Sequence, residues 1–258
     1  MSTSMDAEFD VMPRWVAEAV AELGPGHAGP AACRGSVGPA GLRWLADRTR
    51  VGLGGLLVDV GGGMGGPAAW AREQRGAAPL VVEPQPGACW AARRMFGLPT
   101  VVGSGDAVPV GDGRAASVWC LGVLCTTTDK LGLLCELRRI ATPGGRLGLF
   151  VLVDRGLRDQ PPAGNSFPSE FELAAALATA RLEVVDSVDV ADLPAAPPDW
   201  ERRTAETDEA VRARHGHEPA WRRMQDQQAR LARLLDTGQV AGRLLAVHRP
   251  GEVSRRGA

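Results

Sequence analysis

Short apolar runs alternate with amphipathic segments along most of this chain. Apolar residues recur near the helical period of 3.6 over residues 8–23, and a second helix is expected at 39–50. Residues 24–41 are rich in glycine and proline, which predicts irregular structure. The runs that predict strands lie at 56–60, 79–83, 100–104, 115–124, 146–153, 182–190 and 240–249.

Helical segments separate the predicted strands. They are expected at 67–76, 86–97, 130–141 and 169–180, with two more inside 198–236 that break near residues 215–218. Strand–helix–strand alternation at this spacing favours a parallel sheet covered by helices on both faces. Right-handed crossovers then give an α/β fold with a doubly wound sheet. A Pro-Gly-Gly turn is predicted at 143–145, and residues 251–258 are predicted to fray.

The composition and charge are those of an ordinary globular protein. Among 258 residues, 45% are hydrophobic and 23% are charged, and 29 basic against 30 acidic side chains leave a net charge of −1. Such a chain lacks the positive field that draws proteins to nucleic acid or to anionic membranes. No apolar run is long enough for a transmembrane helix, and no secretory signal is visible. We therefore expect neither a nucleic-acid nor a membrane partner.

The cysteines predict free thiols and no metal site. There are five, and none form a C-x-x-C pair. An odd number of cysteines without a signal sequence indicates reduced thiols in the cytoplasm. Zinc binding is not predicted, because close cysteine and histidine pairs with ligand spacing are missing.

A glycine cluster follows the predicted strand 56–60. The stretch reads Asp59-Val60-Gly61-Gly62-Gly63-Met64-Gly65-Gly66 and satisfies the pattern G-x-G-x-x-G. Glycines at a strand-to-helix turn let the backbone approach a ligand with no Cβ in the way. Taken alone, the pattern also fits a tight turn that binds nothing.

Three carboxylates follow the ends of successive predicted strands. Asp59 precedes the glycines, where it suits a ligand that carries positive charge. Glu83 ends the next strand, about twenty residues later, where an acid can bind two ribose hydroxyls. Asp106 follows the third strand and can accept from an exocyclic amine such as that of adenine. Together they predict a site for a cationic nucleoside.

This series of acids and glycines resembles the class I S-adenosylmethionine-dependent methyltransferases of the small-molecule type. Further resemblance lies in Val118-Trp119-Cys120-Leu121 as strand 4 and in Pro143-Gly144-Gly145-Arg146-Leu147, which is similar to that family's Pro-Gly-Gly-x-Leu turn. The resemblance implies a Rossmann-like sheet of seven strands, the last of them antiparallel. It implies these cofactor-binding residues: Asp59, Gly61, Gly62, Gly63, Glu83, Pro84, Gly105, Asp106, Ala107, Cys120 and Leu121.

The resemblance also implies a domain organisation. Residues 51–190 and 239–249 form the cofactor-binding core, residues 1–50 an N-terminal helical lid, and residues 191–238 a helical insertion over the substrate site. The two lid segments hold four tryptophans, which either line an aromatic acceptor pocket or pin the helices to the sheet. These are Trp15, Trp44, Trp200 and Trp221.

Methyl transfer from a sulfonium is an in-line displacement, so positioning and exclusion of water supply most of the catalysis. An acceptor hydroxyl or protonated amine also needs a base. Where relatives often carry a histidine beside an acid, this chain has Thr126 beside Cys125. His215 and His217 are the candidate bases, although both also fit exposed positions around a helix break.

The predicted function is S-adenosylmethionine-dependent O-, N- or C-methylation of a small molecule, with S-adenosylhomocysteine as product, in natural-product or secondary metabolism. One alternative keeps the cofactor but catalyses a non-methylating step such as cyclisation. A second is an NAD-dependent oxidoreductase, which the literal G-x-G-x-x-G allows. Asp59, the Pro-Gly-Gly turn and the absence of tyrosine argue against it. A monomer or a homodimer is expected.

Overall fold

A seven-stranded sheet forms the centre of the structure, a computed structural model that describes residues 4–251. The strand order is β3-β2-β1-β4-β5-β7-β6, and β7 runs antiparallel to both of its neighbours. The strands are β1 (Leu56–Val60), β2 (Ala78–Glu83), β3 (Thr100–Val102), β4 (Ala115–Leu121), β5 (Ala141–Asp154), β6 (Glu183–Asp189) and β7 (Val240–His248). The predicted α/β fold with a mostly parallel sheet is confirmed.

Helices flank this sheet and precede it in the chain. Those in the described range are α1 (Ser4–Leu23), α2 (Ala28–Ala32), α3 (Pro39–Arg48), α4 (Gly66–Arg75), α5 (Pro86–Phe96), α6 (Lys130–Ile140), α7 (Glu170–Thr179), α8 (Pro198–His215) and α9 (Pro219–Asp236). None of the helices in this range is both long enough and apolar enough to cross a membrane. The frayed tail that the sequence predicts lies, from residue 252 onward, outside the described residues.

Burial on both faces explains why the central strands are continuous apolar runs. In β4, Val118, Trp119 and Cys120 have no exposed surface. The indole Nε1 of Trp119 donates to the hydroxyl of Thr49 at 3.1 Å, so the one polar atom of this large side chain is satisfied. The strands thus form a rigid platform whose carboxyl edge carries the loops described below.

The prediction of irregular structure for residues 24–41 is wrong over residues 25–32, whereas residues 33–38 form turns and coil as predicted. A short 3₁₀ turn at Pro25–His27 leads directly into α2, and α3 begins at Pro39. Helix α2 consists of small residues, with Ala28, Ala31 and Ala32 buried. No helical period of large apolar residues marks this segment in the sequence, because the helix packs closely through alanines.

The predicted turn at 143–145 lies inside a strand. Ala115 of β4 pairs with Ala141 of β5, whereas Ser117 pairs with Arg146, so the intervening residues bulge out of this ladder. Gly144 has φ 77° there, which explains the need for glycine. Strand β5 therefore begins at Ala141, before the predicted start at 146.

The N-terminal segment and the 191–238 insertion pack together into a second apolar cluster. Its buried members come from α1, α2, α8 and α9, and Met64 of the glycine-rich loop packs against them. We call this group of helices the lid. Trp221 is buried in the cluster, and Trp44 and Trp200 pack against the main core, so these three tryptophans anchor helices. The cluster's buried members are Val16, Ala19, Val20, Ala28, Ala31, Val211, Trp221 and Met224.

Candidate functional site

The glycine-rich loop lies where the strand order reverses. The chain proceeds outward from β1 to β2 and β3, and β4 then pairs on the other side of β1. In open α/β sheets, ligands bind at this switch point. Gly61 and Gly63 have φ values of 68° and 54°, which other residues adopt only with strain. A Cβ on Gly61 would lie 2.2 Å from Val123 Cγ2, whereas one on Gly63 would meet nothing within 4 Å.

Asp59 is buried beside these glycines, and its negative charge is not compensated. The residue is 1% exposed, and its Oδ2 has no hydrogen-bond partner. Burial, followed by the charge of Glu83, raises the pKa of Asp59 to about 7. An orphaned buried carboxylate oxygen of this kind fits a site that receives a cationic group.

Glu83 connects the end of β2 to the glycine-rich loop. Its Oε2 accepts from the Gly63 amide at 3.0 Å, and its Oε1 accepts from the Gln85 amide at 3.0 Å. Burial raises the pKa of Glu83, and these two hydrogen bonds oppose the rise. The structure therefore brings Asp59, Glu83 and Gly61–Gly63 together at the carboxyl ends of β1 and β2, an edge that we call the candidate cleft. Their binding of a cofactor stays a prediction.

The loop after β3 borders the same edge of the sheet. The Gly103 amide donates to the Glu83 carbonyl at 3.2 Å, and a Cβ on Gly105 would lie 3.5 Å from Val60 Cγ1 at the end of β1. Asp106 and Ala107 are exposed on this loop. The third acid thus lies at the expected edge, with its side chain in solvent.

The remaining residues that are predicted to bind the cofactor differ in solvent exposure. Pro84 is exposed beside Glu83, and Leu121 is 8% exposed at the end of β4. Cys120 has no exposed surface, and burial together with the nearby charge of Asp59 raises the pKa of its thiol. Cys120 packs in the buried core near Asp59. Its contact with a cofactor stays a prediction.

Residues 32–35, which belong to the N-terminal segment that the resemblance implies as a lid, lie against this edge of the sheet. A Cβ on Gly66 would lie 2.5 Å from the Ala32 carbonyl carbon, and one on Gly122 would lie 3.1 Å from the Gly35 oxygen. This segment therefore runs from the start of α4 to the end of β4. Between these contacts, the Cys33 thiol is close enough to Asp59 for that charge to raise its pKa, after the larger effect of burial.

The candidate bases make their contacts within the lid. The ring of His215 stacks on Trp15 of α1, with centroids 4.1 Å apart and planes 3° apart. His217 is exposed, and its Nε2 lies 3.4 Å from Glu218. Neither contact involves a residue of the cleft, so the proposed base role of His215 and His217 has no geometric support and stays a prediction.

The position after β4 offers no evident base. The Cys125 sulfur accepts from the Leu152 amide at 3.1 Å, and burial raises the pKa of the thiol to about 11. The exposed Thr126 donates its hydroxyl proton to the Val123 carbonyl at 3.1 Å. A neutral, buried thiol is a poor nucleophile and a poor base near pH 7.

Comparisons with known proteins bear on the domain type and the fold. Residues 58–149 match the family model of a methyltransferase domain. The comparison with curated proteins gave no match. Among solved structures, the [4+2]-cyclase SpnF is 20% identical with a TM-score of 0.67, covering 91% of this chain and 93% of its own.

Two further solved structures share the fold at low identity. Geranyl diphosphate C-methyltransferase from Streptomyces coelicolor A3(2), crystallised with S-adenosylhomocysteine, is 19% identical with a TM-score of 0.60, covering 81% of this chain and 74% of its own. The cyclopropane synthase MmaA2 from Mycobacterium tuberculosis is 11% identical with a TM-score of 0.65, covering 81% and 83%. Residues 58–149 thus match a methyltransferase domain, and the chain has the fold of the class I S-adenosylmethionine-dependent methyltransferases.

Proposed function

We propose that this protein is an S-adenosylmethionine-dependent methyltransferase that acts on a small molecule. The observation that carries this proposal is the buried carboxylate of Asp59, whose Oδ2 has no partner, beside Glu83 at the glycine-rich switch point. A pyrophosphate would be repelled there, whereas a cationic nucleoside would be attracted. The methyltransferase-domain match and the cofactor-bound relatives support the same cofactor.

Each group of the cofactor has a candidate partner in this chain. Asp59 offers a carboxylate to the cationic end, and Glu83 keeps unused lone pairs for ribose hydroxyls. Asp106 is available to the adenine amine, and the space beside Gly63 lets the backbone approach the ligand closely. When bound, S-adenosylmethionine supplies a methyl group that the positive sulfur already activates.

The contribution of the protein is then mainly positional. The lid and the segment 32–35 cover the cleft, which excludes water and restrains an acceptor near the end of β4. We infer that positioning, rather than a dedicated base, selects the acceptor atom, whether oxygen, nitrogen or carbon.

A second candidate function is a non-methylating reaction, such as cyclisation, in the same fold. Two observations favour it: the buried, neutral thiol of Cys125 in place of a base, and the high mutual coverage with the cyclase SpnF. Methyl donation separates the two functions. With a methyl-labelled cofactor and candidate acceptors, the first function labels the acceptor, whereas the second leaves the label on the cofactor.

Titration calorimetry tests the cofactor assignment. We expect S-adenosylmethionine and S-adenosylhomocysteine to bind and NAD⁺ not to bind. Glu83→Ala should abolish detectable binding because it removes the ribose acceptor, whereas Glu73→Ala, an exposed acid on α4, should bind as the wild type does. Tight NAD⁺ binding without binding of either sulfur nucleoside would overturn the proposal.

A further inference from the structure

Helix α7 buries one side against the sheet and exposes an apolar side. Leu173 and Leu177 are buried in the main core. On the opposite side, Phe171 is 83% exposed, and three alanines at helical spacing from it are exposed as well. These are Ala174, Ala175 and Ala178, and together with Phe171 we call them the α7 face. A surface helix normally turns polar residues to water, whereas a helix that is apolar on both sides is normally covered on both.

Charged residues lie only near the two ends of this helix. Glu172 is in the first turn, and hydrogen bonds from Ser169 lower its pKa, so it is ionised near neutrality. Arg181 follows the helix, and its exposed side chain has no ion pair or hydrogen bond within the part of the chain that the structure describes. Residues 173–180 are leucine, alanine and threonine only. The α7 face is therefore uncharged, with an acid at one end and a base at the other.

A second copy of the same helix complements this pattern. In a twofold pair of antiparallel helices, Phe171 of each copy would lie near Ala178 of the partner subunit, where a small side chain leaves room for the ring. Glu172 would then lie at the end that carries Arg181 of the partner subunit. Opposite charges would meet at both ends, and antiparallel helix dipoles also attract each other. A twofold interface repeats every contact, so one self-complementary face is sufficient.

The neighbouring edge strand β6 is a poorer surface for a second copy. Among the described residues its outer edge has no partner strand, and Val184 and Val185 are exposed on it. The strand carries three acids and no basic residue, so two copies paired edge to edge would bring like charges together. Because α7 packs against β6, the two valines instead extend the apolar surface beside the α7 face.

We propose that the α7 face is the contact surface of a twofold dimer of this chain, with Phe171 as its apolar anchor and Glu172–Arg181 pairs between the subunits at its ends. A stable interface needs roughly 800 Å² from each copy, so the exposed valines of β6 belong to its rim. This inference selects the homodimer from the two states that the sequence leaves open. It is independent of the proposed function, because none of these residues lies in the candidate cleft.

Sedimentation velocity on the full chain tests the apolar anchor. We expect the wild type to dimerise in the micromolar range and Phe171→Ser to weaken dimerisation roughly 100-fold or more, since the ring is lost from both copies. Leu53→Ser is the matched control, because Leu53 is also an exposed apolar residue but lies in the loop before β1. It should dimerise as the wild type does. A wild type that is still monomeric at about 100 µM would overturn the proposal, as would a dimer that Phe171→Ser leaves unchanged.

Reciprocal charge reversal tests the ends of the interface. Glu172→Arg and Arg181→Glu should each weaken self-association about tenfold or more, because both end pairs then carry like charges. An equimolar mixture of the two variants should regain the wild-type dimer, since every end pair in the mixed dimer is again of opposite charge. If both variants are folded by circular dichroism and the mixture stays monomeric, the proposal is wrong.

Arg50→Glu is the control for these reversals. Arg50 and Arg181 are both exposed arginines that follow a helix with positive φ, 56° and 55°, but Arg50 lies after α3. We expect Arg50→Glu to leave dimerisation at the wild-type value. If loss of the capping box unfolds Glu172→Arg, the comparison of Arg181→Glu with Arg50→Glu remains, and equal dimerisation of these two variants would overturn the proposal.

Discussion

Asp59 is the residue on which the chemistry of the cleft depends. It is buried next to a second acid, and the pKa of about 7 means that part of the population carries a proton near neutrality. Burial of an unpaired carboxylate is costly, and the protein accepts this cost at a strand end that faces the glycine-rich loop. A cationic ligand would offset this free-energy cost by pairing with the carboxylate. The pH dependence of stability and of binding at Asp59 therefore reports whether such a ligand occupies the site.

The first prediction concerns the stability of the ligand-free protein. Between pH 4 and 7 the folded state binds more protons at Asp59 than the unfolded state, whose value is near 3.8, so this residue lowers the free energy of unfolding as pH rises. Asp59→Asn removes this dependence. In urea titrations, the difference in free energy of unfolding between the variant and the wild type should increase in favour of the variant by on the order of 2–3 kcal/mol as pH rises from 5 to 8. A difference that does not vary with pH would contradict this.

The second prediction concerns affinity and pH. A cationic ligand prefers ionised Asp59, so the proton must leave before or during binding. Affinity for S-adenosylmethionine should therefore fall as pH drops below about 7, by at most about tenfold per unit. Calorimetry at pH 5.5, 6.5 and 7.5 on wild type and Asp59→Asn measures this. A wild-type profile as flat as that of the variant would rule out Asp59 as the titrating group.

The sequence identifies the acids, and the resemblance implies which segments form the lid, but neither reveals the contacts of residues 32–35. Asp59 and Glu83 stand out because each follows an apolar run that could only be a buried strand. Residues 32–35 give no such signal, since they lie among glycines and prolines. Their position depends on contacts with elements that are distant in the chain, such as the ion pair of Arg34 with Asp208 of α8.

Among the elements, the agreement follows the strength of the hydrophobic pattern. Strand β1 has the predicted bounds because its apolar run ends at a glycine cluster. Helix α5 ends close to the predicted position because Gly97 caps it with φ 63°. Helix α2 was missed because alanine, glycine and proline carry no periodicity. The position of α2 is set by the lack of a side chain at Gly66, which lets two backbones meet.

The third prediction tests this close approach. Gly66→Ala would place a Cβ 2.5 Å from the backbone of Ala32, which has to shift away from α4. We expect a loss of roughly 1–3 kcal/mol in urea unfolding, together with weaker nucleoside binding. Gly52→Ala is the control, because its Cβ would lie 3.9 Å from the nearest atom, the Arg50 oxygen. Equal stability of the two variants would mean that α2 does not press on the glycine-rich loop.

In the whole molecule, the lid and the sheet meet at the candidate cleft. Met64 of the glycine-rich loop packs against the apolar cluster of α1, α2, α8 and α9, and residues 32–35 run from the start of α4 to the end of β4. The parallel sheet covered by helices followed from the alternation of the chain. The docking of the lid did not, because it depends on pairs such as His27–Glu206 and Trp15–His215 that are distant in sequence.

The fourth prediction follows from this closure. A ligand held by both the sheet and the lid stabilises the folded state by mass action, by about 2.7 kcal/mol at a concentration 100 times its Kd. For a chain of this size, that raises the melting temperature by roughly 5–10 °C. A thermal scan with S-adenosylhomocysteine should show the increase in wild type but not in Glu83→Ala. The same increase in both would place the ligand elsewhere.

The most direct measurement is an experimental structure of the complex with S-adenosylhomocysteine. The account predicts ribose hydroxyls within hydrogen-bond distance of Glu83, the amino group near Asp59 Oδ2 and the adenine beside Asp106, all beneath residues 32–35. A nucleoside bound away from Glu83, or Asp59 still without a partner in the occupied complex, would contradict it.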